Sequence, residues 1–234
     1  LYGLLLIPLL ARGVFVTSRA ADPAPPAEEA TSLLGRYLEV LRHPTALPFI
    51  AWQVGAFSVM MLFVTHGSFI YQEHFGQSEG AFGALFAVNV GAMFLCNLLN
   101  RALLSRIPVL RLLQGATIAQ ALGVILVLMA AVLRWPLVVF TPALAIAIGT
   151  TGAITPNIQA LFMQRFPRSG GTAAALLGAS QFGLAGLITG LSTLLPHTLV
   201  AITLAMGGCS AFALIWLATS LSWPRARVLE EVPS

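Results

Sequence analysis

The chain contains no lysine, only two cysteines and little charge of either sign, charged residues making up 9% of its 234 positions. A soluble domain carries about a quarter of its residues as charges, because its surface must be solvated. A chain this poor in charge cannot cover a water-facing surface of its own size, and lipid is the alternative solvent. Without lysine there is no P-loop, and neither HExxH nor GxSxG occurs, so no enzyme motif is present. The chain is read as a non-enzyme that needs no cofactor. Cys96 and Cys209 lie inside apolar runs. Two cysteines so placed make neither a disulfide framework nor a metal site, and both are expected to act as small buried hydrophobes.

Hydrophobic residue types account for 58% of the chain, and the mean hydropathy is +0.89. In lipid only helices and closed barrels satisfy their own backbone. The apolar stretches here continue for about 20 residues, the length of a spanning helix, rather than alternating in short strands. The expected class is an all-α integral membrane protein. A pI near 9.8 could suggest nucleic acid. The basic residues, all twelve of them arginine, are instead spread among loops with no basic groove or aromatic-interleaved stripe, so no nucleic-acid partner is expected.

The apolar run from Leu1 to Ala11 has no basic residues before it and is cut short by Arg12. It lacks the anatomy of a signal peptide, and residues 1–16 read as the end of a truncated helix. Residues 17–45 form a polar linker containing Ala21-Asp22-Pro23-Ala24-Pro25-Pro26, flexible by composition. Within it Leu34, Tyr37, Leu38 and Leu41 recur at helical spacing between Arg36, Glu39 and Arg42, predicting a short amphipathic helix at the membrane surface. Residues 46–222 hold six spans, near 47–71, 81–104, 110–133, 137–163, 172–195 and 199–221, and 223–234 form a polar tail. Pro142 and Pro156 fall inside the fourth span and predict kinks there.

Cytoplasmic loops are enriched in arginine. Eleven arginines fall on one side of a six-span topology, and only Arg134 falls on the other. Both ends of the six-span unit are therefore expected in the cytoplasm.

Four stretches carry a family resemblance. The first runs from Ser68 to Gly76 and continues through Ala81–Asn89. The second is Leu98–Arg106, leading to Arg111-Leu112-Leu113. The third is Thr155-Pro156-Asn157-Ile158-Gln159-Ala160, and the fourth spans Gly171–Phe182. Together they resemble the bicyclomycin/chloramphenicol-resistance (Bcr/CflA) drug-efflux family of the major facilitator superfamily. Pro108 and Val109 stand where that family more often has glycine and a basic residue. The resemblance implies the six-helix C-terminal bundle of a facilitator fold, preceded by the end of a truncated helix and a cytoplasmic linker, in a bacterial inner membrane. It further implies a missing N-terminal six-helix half, small drug-like substrates and protons as partners, and a central cavity lined by the first, second, fourth and fifth helices of the half.

Polar groups within a span usually face the bundle interior or a wet cavity. The cavity candidates are Gln53, Phe57, His66, Asn89, Asn157 and Gln181. Asn89, Asn97 and Asn100 share one helical face with Met93, and Asn100, Arg101, Arg106 and Arg111 are candidates for contacts in a cytoplasmic gating loop. For each amide the plainer alternative is an interhelical hydrogen bond. His66 could carry a proton, but with no carboxylate on its helix at reachable depth a packing role is favoured. Thr155, Asn157 and Gln159 surround Pro156, where they could line a cavity or compensate the carbonyl that the proline frees. Gly186 and Gly190 have GxxxG spacing and are expected at a close helix contact.

The reading for function is proton-coupled efflux of small, largely apolar drugs by alternating access. Two others remain open: export of a metabolite such as an amino acid or peptide derivative, and a non-transporting membrane fragment acting at most as an interaction module.

Overall fold

Backbone self-satisfaction dictates the architecture. The computed structural model describes residues 33–167 and 169–221, and among these the chain forms helices and short turns with no strand. Helix α1 (Leu33–Arg42) precedes six spans. The first is α2 (Ala46–Ser68), prolonged by a π-helical turn, Phe69–His74; the second and third are α3 (Glu79–Leu103) and α4 (Val109–Val132). The fourth is divided into α5 (Leu137–Gly149) and α6 (Thr151–Met163), and the fifth and sixth are α7 (Gly170–Ser192) and α8 (Leu199–Leu221). All six are long and apolar enough to cross a bilayer, as in a multi-pass membrane protein. The expected helix end at 1–16, the linker up to residue 32 and the tail lie outside the described residues.

Two local expectations change. In α1 it is Val40 that is buried, with Leu41 packed beside it, while Leu38 is exposed. A tight turn, with His43 N–H donating to Val40 O and Ala46 N–H to His43 O, swings the chain into α2 and presses Val40 onto the core. In the fourth span the regular helical winding is interrupted at Thr150, between the two prolines. Thr150 turns its hydroxyl back onto the carbonyls of Ile146 and Ala147, at 3.0 and 3.1 Å, a bond that bends helices.

Burial is uneven. In its most apolar 18-residue stretch the first span has 72% of its residues buried within the bundle, the second only 6%. The first span packs on the fifth and sixth, the fourth packs on the second and third, and the third and sixth pack on each other. Exchanging the first three spans for the last three maps this pattern onto itself, the relation expected of a repeated three-helix unit. The symmetry lies in packing, since the two triplets share no residue pattern.

Backbone clearance explains how packing can repeat without sequence. A Cβ on Gly55 would stand 3.0 Å from Ala213 N, where the first span crosses the sixth; one on Gly123 would stand 2.6 Å from Ala147 N, where the third crosses the fourth. These are corresponding crossings, with the glycine supplied by opposite partners. At the crossing of the second and fourth spans, a Cβ on Gly152 would collide with Met93 O. The Gly186/Gly190 pair does not behave as expected. Among the described residues nothing lies within 4 Å of a Cβ at either position, because that face of α7 is turned away from the described bundle.

Two apolar clusters fill the interior. One, around Phe49, Trp52, Ile158 and Phe162, lies toward α1; the other, around Phe63, Tyr71, Phe140 and Leu144, lies toward the far end. Between them runs a belt of buried polar residues: Ser58, Gln120, Thr150, Thr151 and Ser210.

Gly152→Ala is expected to destabilise the chain in detergent by about 1–3 kcal/mol, as overpacking against backbone does. Gly186→Ala is expected to be neutral or slightly stabilising, since alanine is the better helix former by about 1 kcal/mol. Unfolding curves followed by circular dichroism compare the two, and equal losses would contradict the crossing described.

Candidate functional site

Pro156 has no N–H, so the carbonyl four residues earlier, that of Gly152, loses its helical partner. Asn97 of α3 supplies the replacement, donating its Nδ2 to Gly152 O at 3.0 Å. One turn further along both helices, Asn100 and Asn157 form a reciprocal amide pair: Asn100 Nδ2 donates to Asn157 Oδ1 at 3.1 Å, and Asn157 Nδ2 returns a bond to Asn100 Oδ1 at 2.7 Å. The face shared by Met93, Asn97 and Asn100 thus meets the fourth span. Asn157 is buried in this lock, whereas Gln159 points outward.

A second polar cluster joins the first, fourth and fifth spans. Gln53 Nε2 donates to Gln181 Oε1 at 2.8 Å and to Thr155 Oγ1 at 3.1 Å. Both glutamines are buried, and Gln53 Oε1 has no partner among the described residues. Deeper along the same pair of spans, the buried ring of Phe57 meets Phe182 edge-on with centroids 5.1 Å apart. Phe182 is 63% exposed, so amides and rings together lie at the margin of the uncovered face of α7.

Toward the far end the candidates separate. Asn89 Nδ2 donates to Tyr71 Oη at 2.9 Å and to its own helix at Leu85 O. Tyr71 reaches it because the π-helical turn adds a residue to the winding and rotates the ring inward, against Phe63 and Phe82. His66 Nε2 lies 2.8 Å from Ser192 Oγ, tying the first span to the end of the fifth. This tie and the Asn100–Asn157 pair are counterparts under the exchange of triplets, each linking the later part of a triplet's leading span to the end of the other triplet's second span.

The six cavity candidates therefore do not form one pocket. Gln53, Phe57 and Gln181 come together; Asn89, His66 and Asn157 sit in three separate ties. At the α1 end, Arg101, Arg106 and Arg111 are all exposed around the loop between the second and third spans, while Asn100 is buried beneath them. Cys96 and Cys209 are half-buried rather than buried: one is on the mostly uncovered second span, the other on a partly covered flank of the sixth.

Two structural polar groups escape a reading based on motifs. Gln120 donates to Ala56 O at 3.1 Å, Ala147 O at 3.4 Å and Thr151 Oγ1 at 3.2 Å, uniting the first, third and fourth spans at the middle of the bundle. Trp52 Nε1 donates to Thr117 Oγ1 at 3.0 Å. An amide in the middle of an otherwise apolar span is signal enough to have found Gln120. Thr117 gives no such signal, because a threonine can bond its own helix, as this one also does to Leu113 O.

Six spans, a fourth span that carries two prolines and buried amides between triplets define a class of membrane protein. The chain belongs to the Major Facilitator Superfamily, whose profile matches residues 1–190. It is similar to the bicyclomycin resistance protein homolog of Haemophilus influenzae, with 26% identity over 187 residues. That match covers 78% of this chain and 45% of the relative, so the chain spans about half the relative's length. The match supports the Bcr/CflA resemblance carried by the four sequence stretches.

Asn97→Ala is expected to cost about 1–2 kcal/mol, the usual penalty for stranding a buried acceptor. In a Pro156→Ala background the restored N–H can serve Gly152 O, and the same change is expected to cost less than half as much. A double-mutant cycle on unfolding in detergent measures this coupling; additive losses would dissociate Asn97 from the proline.

Proposed function

We propose that this chain is one six-helix unit of a drug-efflux transporter, exporting small, largely apolar compounds from a bacterial cytoplasm across the inner membrane in exchange for protons. A second six-helix unit completes the cavity, and both ends of the present unit face the cytoplasm. The observation that carries the reading is the Gln53–Gln181 bond beside the Phe57–Phe182 contact, at the edge of the uncovered face of the fifth span. An apolar site with a few placed polar groups suits such cargo. The name of the Haemophilus influenzae relative favours drugs over metabolites.

In this reading the second and fifth spans lie against the partner unit and rock on it. In the most apolar stretch of each, only 6% of residues in the second span and 22% in the fifth are buried within this unit, so both present largely uncovered faces to a partner. The ties at Asn100–Asn157 and His66–Ser192 hold each triplet to the other, so the six-helix unit moves as one body. Gln53 and Gln181 then contact cargo, and Asn89 and His66 lie along its far exit. Arg101, Arg106 and Arg111 gate the cytoplasmic mouth. The proton-carrying acid is expected on the partner unit.

Vesicles containing the complete transporter are expected to move drug against its gradient when a pH difference is imposed, and to stop when it is collapsed. Gln181→Ala is expected to lower that flux roughly tenfold, the loss of about 1.4 kcal/mol of interaction, without reducing the amount of folded protein. Absence of drug flux under an imposed pH gradient would refute the reading, and pH-driven export of an amino acid or peptide derivative instead would select the metabolite alternative.

A further inference from the structure

A cavity of about 770 Å³ opens at the end of the bundle away from α1, among the turn closing the first span and the loops joining the third to the fourth and the fifth to the sixth spans. One cationic or N–H-bearing side chain comes from each of these three segments: His74, Arg134 and His197. Trp135, Pro136 and Thr198 continue the wall, and no carboxylate is among the lining residues described. Glu73 adjoins His74 in sequence and is the nearest acid along that segment.

Arg134 departs from two defaults at once. Of twelve arginines it is the one placed on this side of the topology, against the bias that gathers arginine on the other. Its backbone is left-handed, with φ of 54°, at the residue following the C-cap Leu133 of α4. Trp135 N–H donates to Ala130 O at 2.9 Å, closing the helix in the arrangement that favours glycine at Arg134's position. A backbone that would accept glycine at lower cost instead presents a guanidinium to the cavity. Such an outlier points to function.

The surroundings narrow the ligand. The guanidinium fork matches phosphate geometry, and the two imidazoles add N–H donors from two other segments of the lining. Helices α5 and α8 also begin at this cavity, at Pro136 and Thr198, and their first-turn amides add positive potential. Trp135 sits at the end of a span, the level at which tryptophan marks the headgroup region. We propose that this cavity binds phosphate at the far membrane face, presented by the phosphodiester headgroup of an anionic phospholipid.

The test uses the full chain in nanodiscs of phosphatidylcholine, alone or with phosphatidylglycerol, with bound lipid read by native mass spectrometry and stability by thermal unfolding. The wild-type chain is expected to retain phosphatidylglycerol selectively. In Arg134→Gly and Arg134→Gln that retention is expected to fall roughly tenfold, the scale of one lost charge-assisted contact. Glycine relieves the left-handed backbone, so its loss of lipid cannot be ascribed to failed folding. Inorganic phosphate added to phosphatidylcholine nanodiscs forms the second arm. A thermal shift in the wild type that is absent from Arg134→Gly, without lipid selectivity, would keep the phosphate site and assign it to the free ion. Equal phosphatidylglycerol retention by the wild type and Arg134→Gly, with no response to inorganic phosphate, would overturn the proposal.

Discussion

The carbonyl of Gly152 is the point on which the bundle turns. Pro156 deprives it of a helical donor, and hydrocarbon offers no water in exchange. Asn97 on a different span meets it, which requires the two backbones to come close enough for a short amide to reach. Glycine at 152 permits that approach, bringing the helix surface onto the Met93 carbonyl. Once the second and fourth spans are held there, Asn100 and Asn157 face one another and can satisfy both amides reciprocally. The proline, the glycine and three asparagines thus form a single unit whose parts have little meaning apart.

The same constraint accounts for the amides elsewhere. Gln120 links three spans across the mid-bundle belt, and His66 with Ser192 closes the far end of the first and fifth spans. Burial of these groups without partners would cost more than any of the bonds contributes. Their first role is therefore to fix helix positions, and at the margin of the bundle Gln53 and Gln181 lie beside the exposed Phe182. Ties of this kind join the first three spans to the last three at both ends of the unit.

Much of the fold could be read along the chain. Charge poverty and apolar run length identify six spans, and four short stretches identify the family. The site was legible only in part. Gln53 and Gln181 could be picked out as polar groups in apolar helices, but their bond could not, because 128 residues separate them. The glycine reading went to Gly186 and Gly190, whose spacing is suggestive, while the glycines under real steric pressure, Gly55, Gly123, Gly149 and Gly152, carry no GxxxG spacing. Spacing along one helix says which residues share a face; it does not say whether another helix lies against that face. The π-helical turn that sends Tyr71 inward also has no mark in composition, since it arises from one extra residue in the turn, settled by the packing around it.

What the sequence by itself determined was the solvent of this protein, the number of its spans and the family it belongs to. These follow from length and transfer free energy, which are properties of segments taken one at a time. The tertiary structure alone decided which amides pair, which glycines admit a neighbouring backbone, and that Arg134, His74 and His197 from three separate segments line one cavity. Those outcomes depend on distances between residues far apart in the chain, fixed only when the helices have crossed and every buried polar group has found its partner or been left without one.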